Sequence, residues 1–237
     1  MRLFDNKRCR ILAIGAHPDD IFLGAGAYLL QLRQQGHQVR LLTLTSGALG
    51  GDRVARENEE RAAARLCGFE VTFGYLPDGH IALPQAIDCI ASMVDEICPD
   101  MVLTHSPADT HQDHIITSQA TVSACRDVGN LFYYEGPSST LFAPTMTVDC
   151  TAGWATKIAA LDCHRSQMQR RSYIEWAKAV GAYRAWPRHV GRPCEAFAAV
   201  RHDPCHFPAI SDDRFTDQTL TERTYVDASA ERPYIHA

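Results

Sequence analysis

Four apolar runs, at 10–15, 38–44, 69–75 and 100–104, alternate along the first half of the chain with stretches at 21–35, 53–67, 84–98 and 113–128 that carry helical patterns. That rhythm predicts strand–helix units built around a parallel sheet. Right-handed connections then put helices on both faces. The expected fold class is α/β, a Rossmann-like, mostly parallel sheet with helices on both faces. In such sheets the functional groups collect at the carboxyl ends of the strands.

Two polar motifs begin at those ends. Ala16-His17-Pro18-Asp19-Asp20 directly follows the first apolar run. His17 offers an imidazole nitrogen and Pro18 stiffens the turn. One of the two carboxylates can reach an ion while its neighbour faces the ion's water, an arrangement suited to metal-assisted hydrolysis. The plainer alternative is a strand-to-helix loop in which Asp19 or Asp20 only caps the helix. Asp109-Thr110-His111-Gln112-Asp113-His114 follows the fourth run and adds two histidines with a carboxylate between them. Catalytic zinc takes three protein ligands and keeps a position open for water; His17, one Asp of the pair and one of the later histidines meet that count.

With both motifs in place, the chain resembles the PIG-L/LmbE-like de-N-acetylases. The resemblance rests on Ala16 to Gly26, Gly50 to Gly68, Leu76-Pro77-Asp78-Gly79, His111 to His114, Tyr133-Tyr134-Glu135, Lys157 to Gln167 with its His164-Arg165-Ser166-Gln167, and Cys194-Glu195-Ala196-Phe197. These segments stand in family order over most of residues 8 to 201. The resemblance implies that His17, Asp20 and His114 hold one zinc per chain and that Asp19 is the base acting on its water. It also implies that His111 stabilises the oxyanion or protonates the leaving amine, with Asp113 orienting it. Chemistry favours the same division of the Asp pair, because a carboxylate bound to the ion loses basicity to it. Iron(II) or cobalt would suit the same nitrogen and oxygen donors. The chain departs from the family pattern at Phe22, where an acidic residue is usual and support around the metal is affected, and at Ala27, which replaces a glycine.

Further residues take roles by the same resemblance. Arg56 lies where the family places an arginine near substrate, with a surface salt bridge as its alternative. Asp78 would accept hydrogen bonds from sugar hydroxyls, its alternative being a turn residue. His164 would line the pocket, or else pack structurally. The rest of the charged run from Arg53 to Arg65 reads as a solvated helix face laced by pairs three and four apart. Gly24-Ala25-Gly26 follows the motif rather than the strand, so it serves helix-to-sheet packing and not a dinucleotide.

Composition narrows the setting. The 237 residues are 46% hydrophobic and 22% charged, which suits one soluble globular domain, and the formal charge of −5 gives no drive toward nucleic acid. No signal-peptide pattern opens the chain, and no stretch approaches the roughly 20 apolar residues of a membrane span. The nine cysteines include no C-x-x-C pair and read as reduced, mostly buried small hydrophobes, consistent with the cytoplasm. The pattern dissolves after about residue 201, so residues 202–237 are expected to form an extension on the surface or in a subunit contact of a homo-oligomer. His202, Cys205 and His206 in it form only a weak candidate for a second zinc site, lacking a fourth partner.

The resulting expectation is a zinc-dependent hydrolase that removes acetyl from an N-acetylated amino sugar, an N-acetylglucosaminyl-type conjugate, with no nucleic-acid or membrane partner. Its rivals are an amidase of the same fold acting on a thiol-sugar conjugate or antibiotic glycoside, and a non-catalytic sugar-binding protein that keeps the metal as a prop.

Overall fold

The computed structural model describes residues 8–203. In chain order the elements are β1 (Arg10–Gly15), α1 (Asp20–Gln34), β2 (Gln38–Thr43), α2 (Arg53–Cys67), β3 (Glu70–Phe73), α3 (Leu83–Ile97), β4 (Met101–His105) and α4 (Gln112–Ala124). They continue with β5 (Asn130–Tyr134), β6 (Met146–Asp149), α5 (Thr151–Cys163), α6 (Arg165–Met168), α7 (Tyr173–Arg184) and β7 (Cys194–Arg201). The strands form one sheet in the order β3-β2-β1-β4-β5-β7-β6. Its first five strands are parallel, β7 runs antiparallel to β5, and β6 runs antiparallel to β7.

Successive residues of β1 feed opposite cores, as the period of two in a strand requires. Ile11 and Ala13 join a cluster with α1, α2 and α5, whereas Leu12 and Ile14 join one with α3 and α4. The sheet is therefore covered on both faces, and its central strands can be apolar throughout. Strand order reverses between β1 and β4, since β1 has β2 on one side and β4 on the other. That reversal makes the carboxyl ends of β1 and β4 a topological switch point, where such sheets bind ligands. Both polar motifs follow these two strands.

Helix α1 is buried along nearly its whole length. A Cβ at Gly24 would overlap the ring of Tyr134, so glycine there lets α1 lie close on β5. Behind it sits a buried ion pair: Lys157 Nζ donates to Glu195 Oε1 at 2.6 Å and to Leu23 O at 2.7 Å. Glu195 also accepts from the N–H groups of Ala27 (3.0 Å) and Tyr28 (2.8 Å). Leu23 O and Ala27 N–H are an i, i+4 pair of α1, and each has a further partner outside the helix. Here α5 and β7 grip both groups and fix α1 in place. Lys157→Ala would leave the Glu195 carboxylate buried without its cation, and urea unfolding should show a loss of about 3–5 kcal/mol. A loss under about 1 kcal/mol would contradict that reading of the pair.

Of the expected C-terminal extension, the described part is His202 and Asp203, which both bond to Asn130 Oδ1 at the start of β5. Cys205 and His206 lie outside the described residues, and the second-zinc reading with them. Among the described residues no helix is long and apolar enough to cross a membrane.

Candidate metal centre and active-site pocket

The turn between β1 and α1 is strained and clamped. Asp19 has φ 95° and ψ −30°, a left-handed conformation that costs a non-glycine residue about 1–3 kcal/mol and clusters at functional sites. Two side chains of α2 hold it there. Glu60 Oε2 accepts the Asp19 N–H at 3.1 Å, and Arg56 donates to Pro18 O at 2.8 Å while its other terminal nitrogen donates to Gly47 O at 2.8 Å. A side chain on Gly47 would overlap that guanidinium, and φ there is +65°. Glu60 and Arg56 are thus buried, contrary to the solvated-face expectation for Glu60 and the surface salt-bridge alternative for Arg56, whose carboxylate neighbour is the buried Asp19 at 3.8 Å. Arg53 and Glu57 do form the expected exposed pair, at 2.8 Å. The Asp19 side chain makes no capping hydrogen bond, so capping does not account for it.

Three donor atoms converge beside this turn. His17 Nδ1 and Asp20 Oδ2 are 3.2 Å apart, His114 Nε2 and Asp20 Oδ2 are 3.4 Å apart, and His114 Nε2 and His17 Nδ1 are 3.3 Å apart. A tetrahedron with metal–ligand distances of about 2.0–2.1 Å has edges of about 3.3–3.4 Å. The triangle therefore fits a small divalent cation. Each histidine also has a carboxylate on its other nitrogen: His17 Nε2 faces Asp113 Oδ2 at 3.1 Å and Asp78 Oδ1 at 3.2 Å, and His114 Nδ1 faces Asp109 Oδ2 at 3.3 Å. That carboxylate–histidine arrangement is the usual outer support of metal-ligating imidazoles. Other overlapping triads, such as Asp20, His105 and His114, are close enough to hold an ion. His105, however, is 1% exposed, and its Nε2 lies 3.1 Å from the Ala16 N–H. Its ring stacks on His114 with centroids 3.9 Å apart, which makes it a support for the cluster.

The two aspartates are driven apart in acidity. Burial raises Asp20, but His114 and His105 outweigh it and hold the carboxyl well below its usual range. Burial and the adjacent Asp20 push Asp19 up to about 8, with Arg56 opposing. His111, half-buried as N-cap of α4, accepts the backbone N–H of Asp113 on Nδ1 at 3.3 Å. That bond assigns the proton of the neutral ring to Nε2. Burial, reinforced by His17 and His114, lowers the His111 pKa and favours this neutral form.

Two sequence expectations need correction. The carboxylate of Asp113 faces His17 and not His111, which Asp113 reaches only through its backbone N–H; the side chain leaves the first turn of α4 toward the 79–81 loop, where it accepts the Gly79 N–H at 2.7 Å as well as facing His17. His164 does not line the pocket. It is fully buried between Phe22, with ring centroids 5.5 Å apart, and Glu60, 3.5 Å from its Nε2, and burial pushes its pKa down to about 3. Phe22, the departure from the family pattern, belongs to this apolar backing and stacks on Phe69.

The pocket, about 320 Å³, opens on the donor triangle, Asp19 and His111. Arg56 and Asp78 line it too, although Asp78 is engaged by His17 and by the Leu49 N–H at 2.6 Å. Gln167, Arg171 and Tyr173 form a further wall. Sequence reasoning missed Glu60, His105 and Asp109 as parts of the site. Arg56 and Glu60 share a helical stripe with Ala63, Ala64 and Cys67, all buried, and that spacing is a signal that could have exposed Glu60.

Comparison with known proteins supplies the context. A family described as GlcNAc-PI de-N-acetylase matches residues 12–125. The uncharacterized deacetylase YaiS of Escherichia coli is 37% identical over 172 residues, covering 68% of this chain and 93% of that protein. A 1D-myo-inositol 2-acetamido-2-deoxy-alpha-D-glucopyranoside deacetylase of Corynebacterium kroppenstedtii is 26% identical over 179 residues, covering 57% of this chain but only 46% of that protein. Among solved structures, N,N'-diacetylchitobiose deacetylase of Pyrococcus horikoshii superposes with a TM-score of 0.71 at 22% identity, covering 88% of each chain, and so shares the fold.

Proposed function

The chain belongs to the PIG-L family of de-N-acetylases, and from that premise we propose a zinc-dependent hydrolase that removes the acetyl group from an N-acetylated amino sugar, an N-acetylglucosaminyl-type conjugate. The observation that carries the metal assignment is the pairing of His17 and His114, each with one nitrogen toward Asp20 and the other toward a carboxylate. The amino-sugar assignment rests on the curated relative named for a 2-acetamido-2-deoxy-glucopyranoside.

In this reading His17, Asp20 and His114 hold the ion. When bound, zinc would lower the pKa of water to near neutrality and polarise the amide carbonyl. Asp19, not a ligand, takes the proton from the water that adds to the carbonyl carbon. It lines the pocket beside the donor triangle without being one of its three donors, which is the placement a base acting on the water needs. His111 donates its Nε2 proton as a hydrogen bond to the developing oxyanion. Asp19 or His111 then supplies a proton to the departing amine as the C–N bond breaks, giving acetate and the free amino sugar. Arg56 and Glu60 keep Asp19 in its strained conformation, and Asp113 keeps the His17 ring in plane. Seven cysteines, Cys67, Cys89, Cys98, Cys125, Cys150, Cys163 and Cys194, are free thiols, which supports a cytosolic setting.

The test is acetate release from a set of N-acetylglucosaminides. The expected result is hydrolysis that a chelator stops and added zinc restores. Hydrolysis of simple N-acetyl amino acids as fast as of the sugars would overturn the sugar assignment, and chelator-resistant hydrolysis would overturn the metal.

A further inference from the structure

Most charged groups around the pocket already have partners within the protein. Asp20 faces His105 and His114, Asp78 and Asp113 face His17, and Arg56 donates to two backbone carbonyls. Arg171 is different. It lines the same cavity, its side chain is exposed, and among the described residues no carboxylate pairs with it. Its guanidinium lies 5.9 Å from the ring centroid of Tyr173, a second lining residue.

The local backbone builds this arrangement. Ser172 has φ −76° and ψ 51°, and the Tyr173 N–H donates to Arg171 O at 2.8 Å, the form of an inverse γ-turn. This tight turn delivers residues 171 and 173 to one wall. The neighbouring Arg170 donates to Gly50 O, at 2.6 Å, and Gln167 donates to the same oxygen at 3.2 Å, so the segment is tied to the glycine-rich loop that also lines the cavity.

A planar guanidinium left without a protein carboxylate is suited to carboxylate or phosphate, which it can grip through two parallel N–H bonds. Asp20 and Asp78 are engaged by histidines and Arg56 by backbone carbonyls, which leaves Arg171 as the lining guanidinium still open to a ligand's anionic group. Resting on the amino-sugar reading above, we propose that the preferred substrates carry an anionic group, phosphate or carboxylate, on the part of the conjugate remote from the acetamide. Arg171 is then the specificity-determining residue that binds it, with Tyr173 beside it in the same wall.

The experiment compares kcat/KM for three substrates: methyl N-acetylglucosaminide, N-acetylglucosamine 1-phosphate, and the carboxymethyl glycoside of N-acetylglucosamine. At least one anionic substrate is expected to exceed the neutral one by about tenfold, and the two anionic arms decide between phosphate and carboxylate. In Arg171→Gln the anionic-to-neutral ratio should fall to about one, whereas Arg171→Lys should keep part of it, having the charge without the fork. A ratio near one in the unaltered enzyme, or a ratio that survives in Arg171→Gln, overturns the proposal. Acetate from none of the three substrates would overturn the amino-sugar reading itself, and this proposal with it.

Discussion

Asp19→Asn is expected to keep its metal and lose on the order of 10²–10⁴ in kcat, the usual consequence of removing a general base. Asparagine has nearly the same size and, like aspartate, tolerates the left-handed backbone that Asp19 adopts at φ 95°, so the clamp by Glu60 and Arg56 should survive the change. What disappears is the capacity to accept the water's proton. His111→Ala should also keep the metal and lose about 10²–10³ in kcat, because a contact to the oxyanion strengthens only as charge develops. Both variants are judged by steady-state kinetics on protein whose metal content has been measured. An Asp19→Asn enzyme within about tenfold of the parent would remove Asp19 from the base role.

Of the first four strand–helix units, those of β1, β2 and β4 were legible because their strands lie in the covered part of the sheet, whereas β3 is a four-residue edge strand. Ile11, Leu12, Ala13 and Ile14 are all fully buried and read as one apolar run, and so do Met101, Val102 and Leu103. The second half was not legible in the same way. β6 is four residues of half-exposed edge strand, and β7 pairs with β5 across more than sixty residues of sequence, with a register shift at Leu131/Phe132. No local period records such a pairing. α5 and α7 bury only scattered positions, so they show no strong apolar stripe.

The site divides along a similar line. His17, Asp19, Asp20, His111 and His114 stand in two compact motifs, and the structure brings all five to one pocket. Their supports come from elsewhere in the fold. His105 is the last residue of an apolar strand and gains its meaning only when β4 pairs beside β1. Asp113 sits two residues from His111 in sequence, yet its carboxylate serves His17 in a different loop. His164 looked like a site residue because its segment matches the family, but α5 and α6 bury it behind Glu60. Adjacency in sequence picked out residues that line one pocket and misplaced the side chains of Asp113 and His164 around them.

Removing a ligand should have the largest effect of all. His114→Ala deletes one of three donors and leaves Asp20 Oδ2 and His17 Nδ1 as an incomplete pair. Asp20→Asn removes the central negative charge that both histidines face. Either change should weaken metal binding by more than the 10–100-fold expected for losing an outer-shell partner such as Asp109 or Asp113. The fold should persist, since the donors lie in turns beyond the strand ends and the apolar clusters lie behind them. The decisive measurement is metal stoichiometry by elemental analysis on the parent, Asp19→Asn, Asp20→Asn and His114→Ala proteins, purified side by side with circular dichroism to verify folding. The account predicts about one zinc per chain in the parent and in Asp19→Asn, and almost none in the other two, as three-ligand coordination requires. Full zinc in folded His114→Ala, or loss of zinc from Asp19→Asn with retention in Asp20→Asn, would contradict it.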